Sequence, residues 1–201
     1  IEPRLSALGL QPSINDLEHF EVEPFSDEVA VEFVTLLLET ELAGVGDATP
    51  DGTAEEVTRL LQTGVPYFLQ AFVNEYLNER RRRRRPIAVH ELEGIYRERL
   101  LGAAYRGRFG HYQSRLKEHY GAHEEHARIV LDELARHPAR TSDELGASLD
   151  ARSLDASVLD EVLVRLDGDY YIDRAGDEVR FSSNLLRDWW RANVPSPRRP
   201  R

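Results

Sequence analysis

The chain contains no cysteine, which excludes a disulfide framework, thiolate catalysis and cysteine metal sites. Methionine is also absent, even at position 1, and the chain opens at Ile1-Glu2-Pro3 with neither cap nor strand. A fragment of a longer protein is expected. Lysine is nearly missing: Lys117 stands alone and arginine supplies the other cations, as a GC-rich coding sequence would give. No apolar run approaches the roughly 18 to 20 residues that span a bilayer, and no signal peptide is visible. No membrane partner is expected, and a cytoplasmic location is. Positive charge is outweighed, with 26 Lys and Arg against 36 Asp and Glu and a net charge of −10. Such a surface repels phosphate backbones and weakens nonspecific nucleic-acid binding. One stretch departs from that average: Arg80, Arg81, Arg82, Arg83, Arg84 and Arg85.

With 41% hydrophobic and 31% charged residues, 201 residues suit one large helix-rich domain or two small ones. "INDLEHFEVEPFS" alternates imperfectly and predicts a short strand near 18–23. Ser26-Asp27-Glu28 before an apolar run predicts a helix over about 27–40. "AGVGDATPDGT" is turn chemistry, and Thr53 opens a short helix over about 54–62. In "TGVPYFLQAFVNEYL", Val65, Phe68, Leu69, Phe72, Val73, Tyr76 and Leu77 share one stripe at helical period, predicting a helix over 65–79. Pro66 suits its first turn and Gly64 a sharp approach. The arginines continue this helix until Pro86 releases it. Further helices are expected at 89–102 and at 105–121, the latter interrupted by glycines.

From residue 122 the pattern changes. Helices are predicted at 123–136, 141–149 and 156–167, followed by a hairpin in "DYYIDRAGDEVRFSS" and a last helix in "NLLRDWWRANV". Helix, helix, helix, hairpin is the order of a winged helix-turn-helix. The tail "PSPRRPR" is disordered by composition. The fold class expected is mainly α: a helical lid bundle followed by a winged helix-turn-helix domain with one β-hairpin.

These pieces resemble the C-terminal half of an AAA+-like P-loop ATPase, of the prokaryotic archaeal-type group within the STAND-like families. "IEPRL" with "LGLQPSINDL" resembles the segment after the sensor-1 strand. "FEVEPFSDEVA" resembles the last core strand entering the helical lid. "GVPYFLQAFVNEYL" resembles the lid helix that begins at the nucleotide, and "RFGHYQSRLKEHYG" through "SSNLLRDWWR" the appended winged helix. The resemblance implies a division into a core remnant (1–25), lid (26–79), basic linker and connecting helices (80–121), winged helix (122–194) and tail (195–201). It implies that Gly64, Pro66, Tyr67 and Gln70 lie near nucleotide, at a helix N-terminus whose dipole suits phosphate. Asn15 and Asp16 fall near the core–lid junction, where an Asx turn is the competing reading. No arginine occupies 64–70, so a sensor-2 contact is not expected. The chain also lacks a Gly-x-x-x-x-Gly-Lys-Ser/Thr loop and a Walker B strand. ATP and magnesium are therefore expected in a full-length parent ATPase, with no cofactor and no catalytic residue in this fragment.

The winged helix would dock a protein partner or self-associate. Residues 123–194 carry 9 Arg against 16 Asp and Glu, and the third helix is acidic, which disfavours DNA. The alternative is a DNA-binding winged-helix regulator that uses Arg80–Arg85 and the wing. The competing reading of that run is a solvated junction whose arginines pair with acids such as Glu75 and Glu79. His119, His123 and His126 would share a face on an unbroken helix, but Gly121 intervenes, and no metal is expected. Trp189 and Trp190, about 100° apart on a helix, are expected to close the core, one inward and one over the lid or an absent domain.

Overall fold

The computed structural model describes residues 23–43 and 49–194, apart from the side chains of 103–106 and 108. The strand expected near 18–23 falls outside them except at Glu23, as do Asn15, Asp16 and the tail.

The first half is a bundle of helices. α1 (Asp27–Leu42) starts where the Ser26 hydroxyl accepts the Val29 N–H at 3.4 Å, with Asp27 and Glu28 favoured at the positive end of the dipole. It buries Ala30, Val34 and Leu38. α2 (Thr53–Leu61) begins after Gly52 at φ 81° and ends at Gln62. α3 (Pro66–Arg83) buries Phe68, Leu69, Phe72, Val73, Tyr76 and Leu77, the stripe legible in the sequence, and runs on through four arginines. A 3-10 turn at Val89–Glu91 leads into α4 (Leu92–Ile95), which widens into a π-helix over Tyr96–Leu100. There the Leu101 N–H donates to the Tyr96 carbonyl at 3.1 Å. α5 (Ala103–His119) passes unbroken through Gly107 and Gly110, contrary to the expected interruption. Nothing lies within 4 Å of a Cβ built at either glycine, so both are helix positions rather than breaks. The break comes at Gly121, at φ 53°.

The second half is winged-helix-like. α6 (Glu124–Arg136) buries Ala127, Val130, Leu131 and Leu134. β1 (Arg140–Thr141) precedes α7 (Ser142–Asp150), which opens with a reciprocal cap between Thr141 and Glu144. α8 (Leu159–Gly168) follows, then β2 (Ile172–Ala175), β3 (Glu178–Phe181) and α9 (Asn184–Asn193). The strands form an antiparallel sheet in the order β1-β3-β2, with Arg140 opposite Val179 and Ile172 opposite Phe181. Gly176, at φ 64°, takes the first hairpin loop position, which a side chain would strain. β1 adds a third strand to the expected hairpin.

One continuous core runs from Ala30 to Val194. α9 joins the two halves. Trp189 faces Phe109 of α5 with ring centroids 5.9 Å apart, and Trp190 faces Phe181 of β3 at 6.4 Å. Both indoles are buried, Trp189 against the bundle and Trp190 against the winged-helix-like unit. Asn184 Nδ2 also donates to the Leu60 carbonyl at 3.1 Å, and the Tyr96 hydroxyl to Asp188 at 2.7 Å. Among the described residues, no helix is long and apolar enough to cross a membrane.

Candidate functional site

The start of α3 brings together the expected nucleotide-proximal residues other than Asn15 and Asp16. Val65 is the N-cap, no side chain caps the helix, and Pro66 removes one N–H at its first position. The Val65 N–H is bonded to the buried Thr63 hydroxyl at 3.1 Å. Tyr67 and Gln70 lie one turn apart and exposed, Tyr67 at 42% with its ring edge-on to Phe109 at 6.3 Å. Gly64 is explained from within the chain. A Cβ there would sit 1.9 Å from the Phe25 carbonyl oxygen, and the Phe25 N–H donates to the Gly64 carbonyl at 2.9 Å. The close approach that Gly64 allows is thus to backbone. An uncapped N-terminus beside an exposed hydroxyl and amide can flank an anion. These residues supply neither a phosphate cradle nor a magnesium ligand, so they fit the edge of a nucleotide site and not its centre.

The arginine run is largely neutralised. Glu79, 3% exposed, accepts from Arg82, from Arg83 at 2.5 Å and from Arg99 at 2.9 Å. Glu91 accepts from Arg83 at 2.6 Å, from Arg85 at 2.6 Å and from the Ala88 N–H at 2.9 Å. Hydrogen bonds from Arg82, then Arg83 and Arg99, hold the Glu79 carboxyl down at about 2. Those from Arg85 and the Ala88 N–H do the same to Glu91, also to about 2. Arg80 is buried beside Tyr76. Arg81 and Arg84 point to solvent and form no ion pair among the described residues. Glu75 accepts from Asn78 at 3.5 Å and pairs with no arginine among the described residues, so Glu79 carries the pairing that the sequence divides between the two acids. Glu91 and Arg99 were invisible in the sequence because nothing local marks a partner folded back from beyond Pro86.

On the winged-helix-like unit, α8 exposes Asp160, Glu161, Val164, Arg165 and Asp167. Arg165 is held by Glu161 at 2.6 Å, and Arg174 of β2 by Asp160 at 3.1 Å. On the wing, Arg180 lies 3.6 Å from Asp173. These cations are matched locally, leaving α8 an acidic face. The three histidines share no helix: His119 ends α5, Gly121 turns the chain, and His126 lies in α6. Among the described residues, no group of three or more His, Cys, Asp or Glu is arranged to hold a metal. A buried polar link absent from the sequence reading joins Asp132 of α6 to Trp190 Nε1 at 2.9 Å. Burial pushes the Asp132 carboxyl up, against the opposing hydrogen bond from Trp190.

The fold so defined is a helical bundle sharing one core with a three-stranded winged-helix-like unit. No family model matches the chain, and no curated protein does. Among solved structures it is similar to the Walker-type ATPase PABY2304 of Pyrococcus abyssi, with a TM-score of 0.57 and 19% identity. The match covers 85% of this chain and 43% of that one, so the chain spans less than half of that ATPase's length. At this identity the likeness establishes a common fold.

Proposed function

We propose that this chain is the lid and winged-helix portion of an AAA+ or STAND-like P-loop ATPase and couples the nucleotide state of a core to a protein partner. The observation that carries this reading is the fold shared with part of a Walker-type ATPase across 85% of the chain. In the proposal residues 26–79 form the lid, 80–121 the connecting segment and 122–194 the effector. ATP and magnesium bind in the core that the parent supplies. The uncapped start of α3, with Tyr67 and Gln70 exposed, flanks the nucleotide. Closure of the lid would reach the effector through α9, whose tryptophans pack on both halves.

The test uses the full-length protein that carries this chain. ATP with magnesium is expected to slow amide exchange across Thr63–Gln70. Combining Tyr67→Ala with Gln70→Ala is expected to weaken ATP binding about tenfold, or about 1.4 kcal/mol. A protein that binds no ATP overturns the whole reading. One that binds ATP with exchange across Thr63–Gln70 unchanged overturns the role of α3.

A further inference from the structure

We propose that the groove between α7 and α8 docks a cationic helical segment of a protein partner, an arginine- or lysine-bearing stretch rather than nucleic acid. The inference rests on the reading above only in taking the winged helix as a protein-docking unit, and it needs no nucleotide.

The groove is an open cleft of about 550 Å³. Asp143, Ala147 and Asp150 form one wall at i, i+4 and i+7 on α7, and Ala156, Ser157 and Asp160 form the other. Leu159 and Leu163 make the floor, both nearly buried. Gly146 leaves space between the walls, since a Cβ there would meet nothing nearer than Leu159 Cδ2 at 3.8 Å. Val164, 55% exposed and one turn beyond Asp160, continues the apolar surface along α8.

Two features select the occupant. An apolar floor under a carboxylate rim matches a side chain with an aliphatic stem and a cationic head, which arginine and lysine alone provide. The charge on the α7 side of the rim is also unspent. Glu144, Asp160, Glu161 and Asp173 each face an arginine, whereas Asp143 and Asp150 pair with none among the described residues. Asp150 is also the last residue of α7, where the helix dipole disfavours a carboxylate. Its placement opposes local stability and suits a charge arriving from outside. The same carboxylates repel phosphate, so the surface that faces DNA in a nucleic-acid reader is turned here to the opposite partner.

The probe is a helical peptide of about 15 residues built from Ala, Leu and Arg, with arginines at i, i+4 and i+7. A scrambled peptide of equal charge is the control. Binding to the chain would be followed by titration calorimetry and amide chemical shifts at about 0.15 M salt, where long-range attraction is screened. The patterned peptide is expected to shift Asp143–Asp150 and Ala156–Val164 and to bind more tightly than the scrambled one. Asp143→Asn with Asp150→Asn is expected to weaken it about fivefold. Ala147→Gln, which fills the groove without changing charge, should weaken it comparably. Glu32→Gln with Glu39→Gln on α1 removes the same charge elsewhere and should leave affinity within about twofold. Equal losses from the two charge-neutralised pairs, or equal binding of both peptides, overturn the proposal. So does binding that emerges only once residues 195–201 are removed, which assigns the groove to the chain's own arginine tail. Concentration-dependent dimers abolished by Asp143→Asn and Asp150→Asn would give the groove to a second copy and overturn it too. These measurements involve no ATP, so their failure is distinct from failure of the ATPase reading.

Discussion

Glu79→Gln tests whether the arginine run is a folded ion cluster or a free basic surface. Glu79 is 3% exposed and receives Arg82, Arg83 and Arg99, whose side chains are 63%, 30% and 39% exposed. Removing one partner of a fully buried ion pair costs about 3–5 kcal/mol. Water can take over part of the solvation of these arginines, and Arg83 keeps Glu91, so the expected loss is about 2 kcal/mol. For a chain of this size that lowers Tm by about 4–8 °C. The pH dependence is the sharper measure. Glu79 titrates near 2 when folded against an ordinary 4.5, so its stabilisation is complete above pH 4.5 and disappears as pH falls toward 2. Urea unfolding of wild type and variant should show a constant gap from about pH 7 to 5, closing steadily below pH 4.5. A gap under about 0.5 kcal/mol at pH 7 would place the pair among exposed ion pairs of little worth and refute the buried-node reasoning. An undiminished gap at pH 3 would mean that the loss comes from shape and not charge.

Gly64→Ala drives a Cβ to 1.9 Å from the Phe25 carbonyl and should cost about 2 kcal/mol or more, whereas Gly94→Ala, with nothing within 4 Å, should stabilise by about 0.5 kcal/mol; thermal melts of the two separate a packing glycine from a tolerated one. Asp132→Asn keeps an acceptor for Trp190 and removes a buried charge. The Asp132 carboxyl is raised on folding, so its protonated form favours the fold and ionisation opposes it as pH rises. The variant should be at least as stable as wild type near pH 7 by urea unfolding, with its advantage fading as pH falls from the raised folded value toward the unfolded carboxyl pKa of about 3.9 and gone below it; an advantage over wild type that is smaller near pH 7 than near pH 3 refutes this.

Where a single helix carried its own signal, the sequence was readable. The stripe from Val65 to Leu77 predicts 65–79, and α3 runs Pro66–Arg83. Ser26, Thr141 and Ser183 each accept an N–H at a helix start, all three at starts the sequence placed within a residue. What failed depended on what lay opposite. Residues 89–102 read as one helix but divide into 3-10, α and π segments, where Gly102 passes the Glu98 carbonyl so closely that a Cβ would lie 2.2 Å from it. β1 has only Arg140 and Thr141, too few for a period of two, and exists because Val179 and Glu178 pair with it.

The same division separates the candidate sites. Tyr67 and Gln70 were named through the resemblance of their helix to a lid helix, and the structure leaves both exposed on one turn. The links made by α9 could not, since Asp188 meets a hydroxyl 92 residues away and Asn184 a carbonyl 124 residues away. Yet those links decide how the halves can move. With Trp189 wedged on α5 and Trp190 bonded to Asp132 in α6, a hinge between the bundle and the winged-helix-like unit would have to expose one indole or strand the Asp132–Trp190 bond. Burying such a side chain is worth about 3–5 kcal/mol, more than the coupling free energy of about 1–3 kcal/mol typical of switches. Motion as one body, with any bending confined to segments outside the shared core, is the lower-energy course.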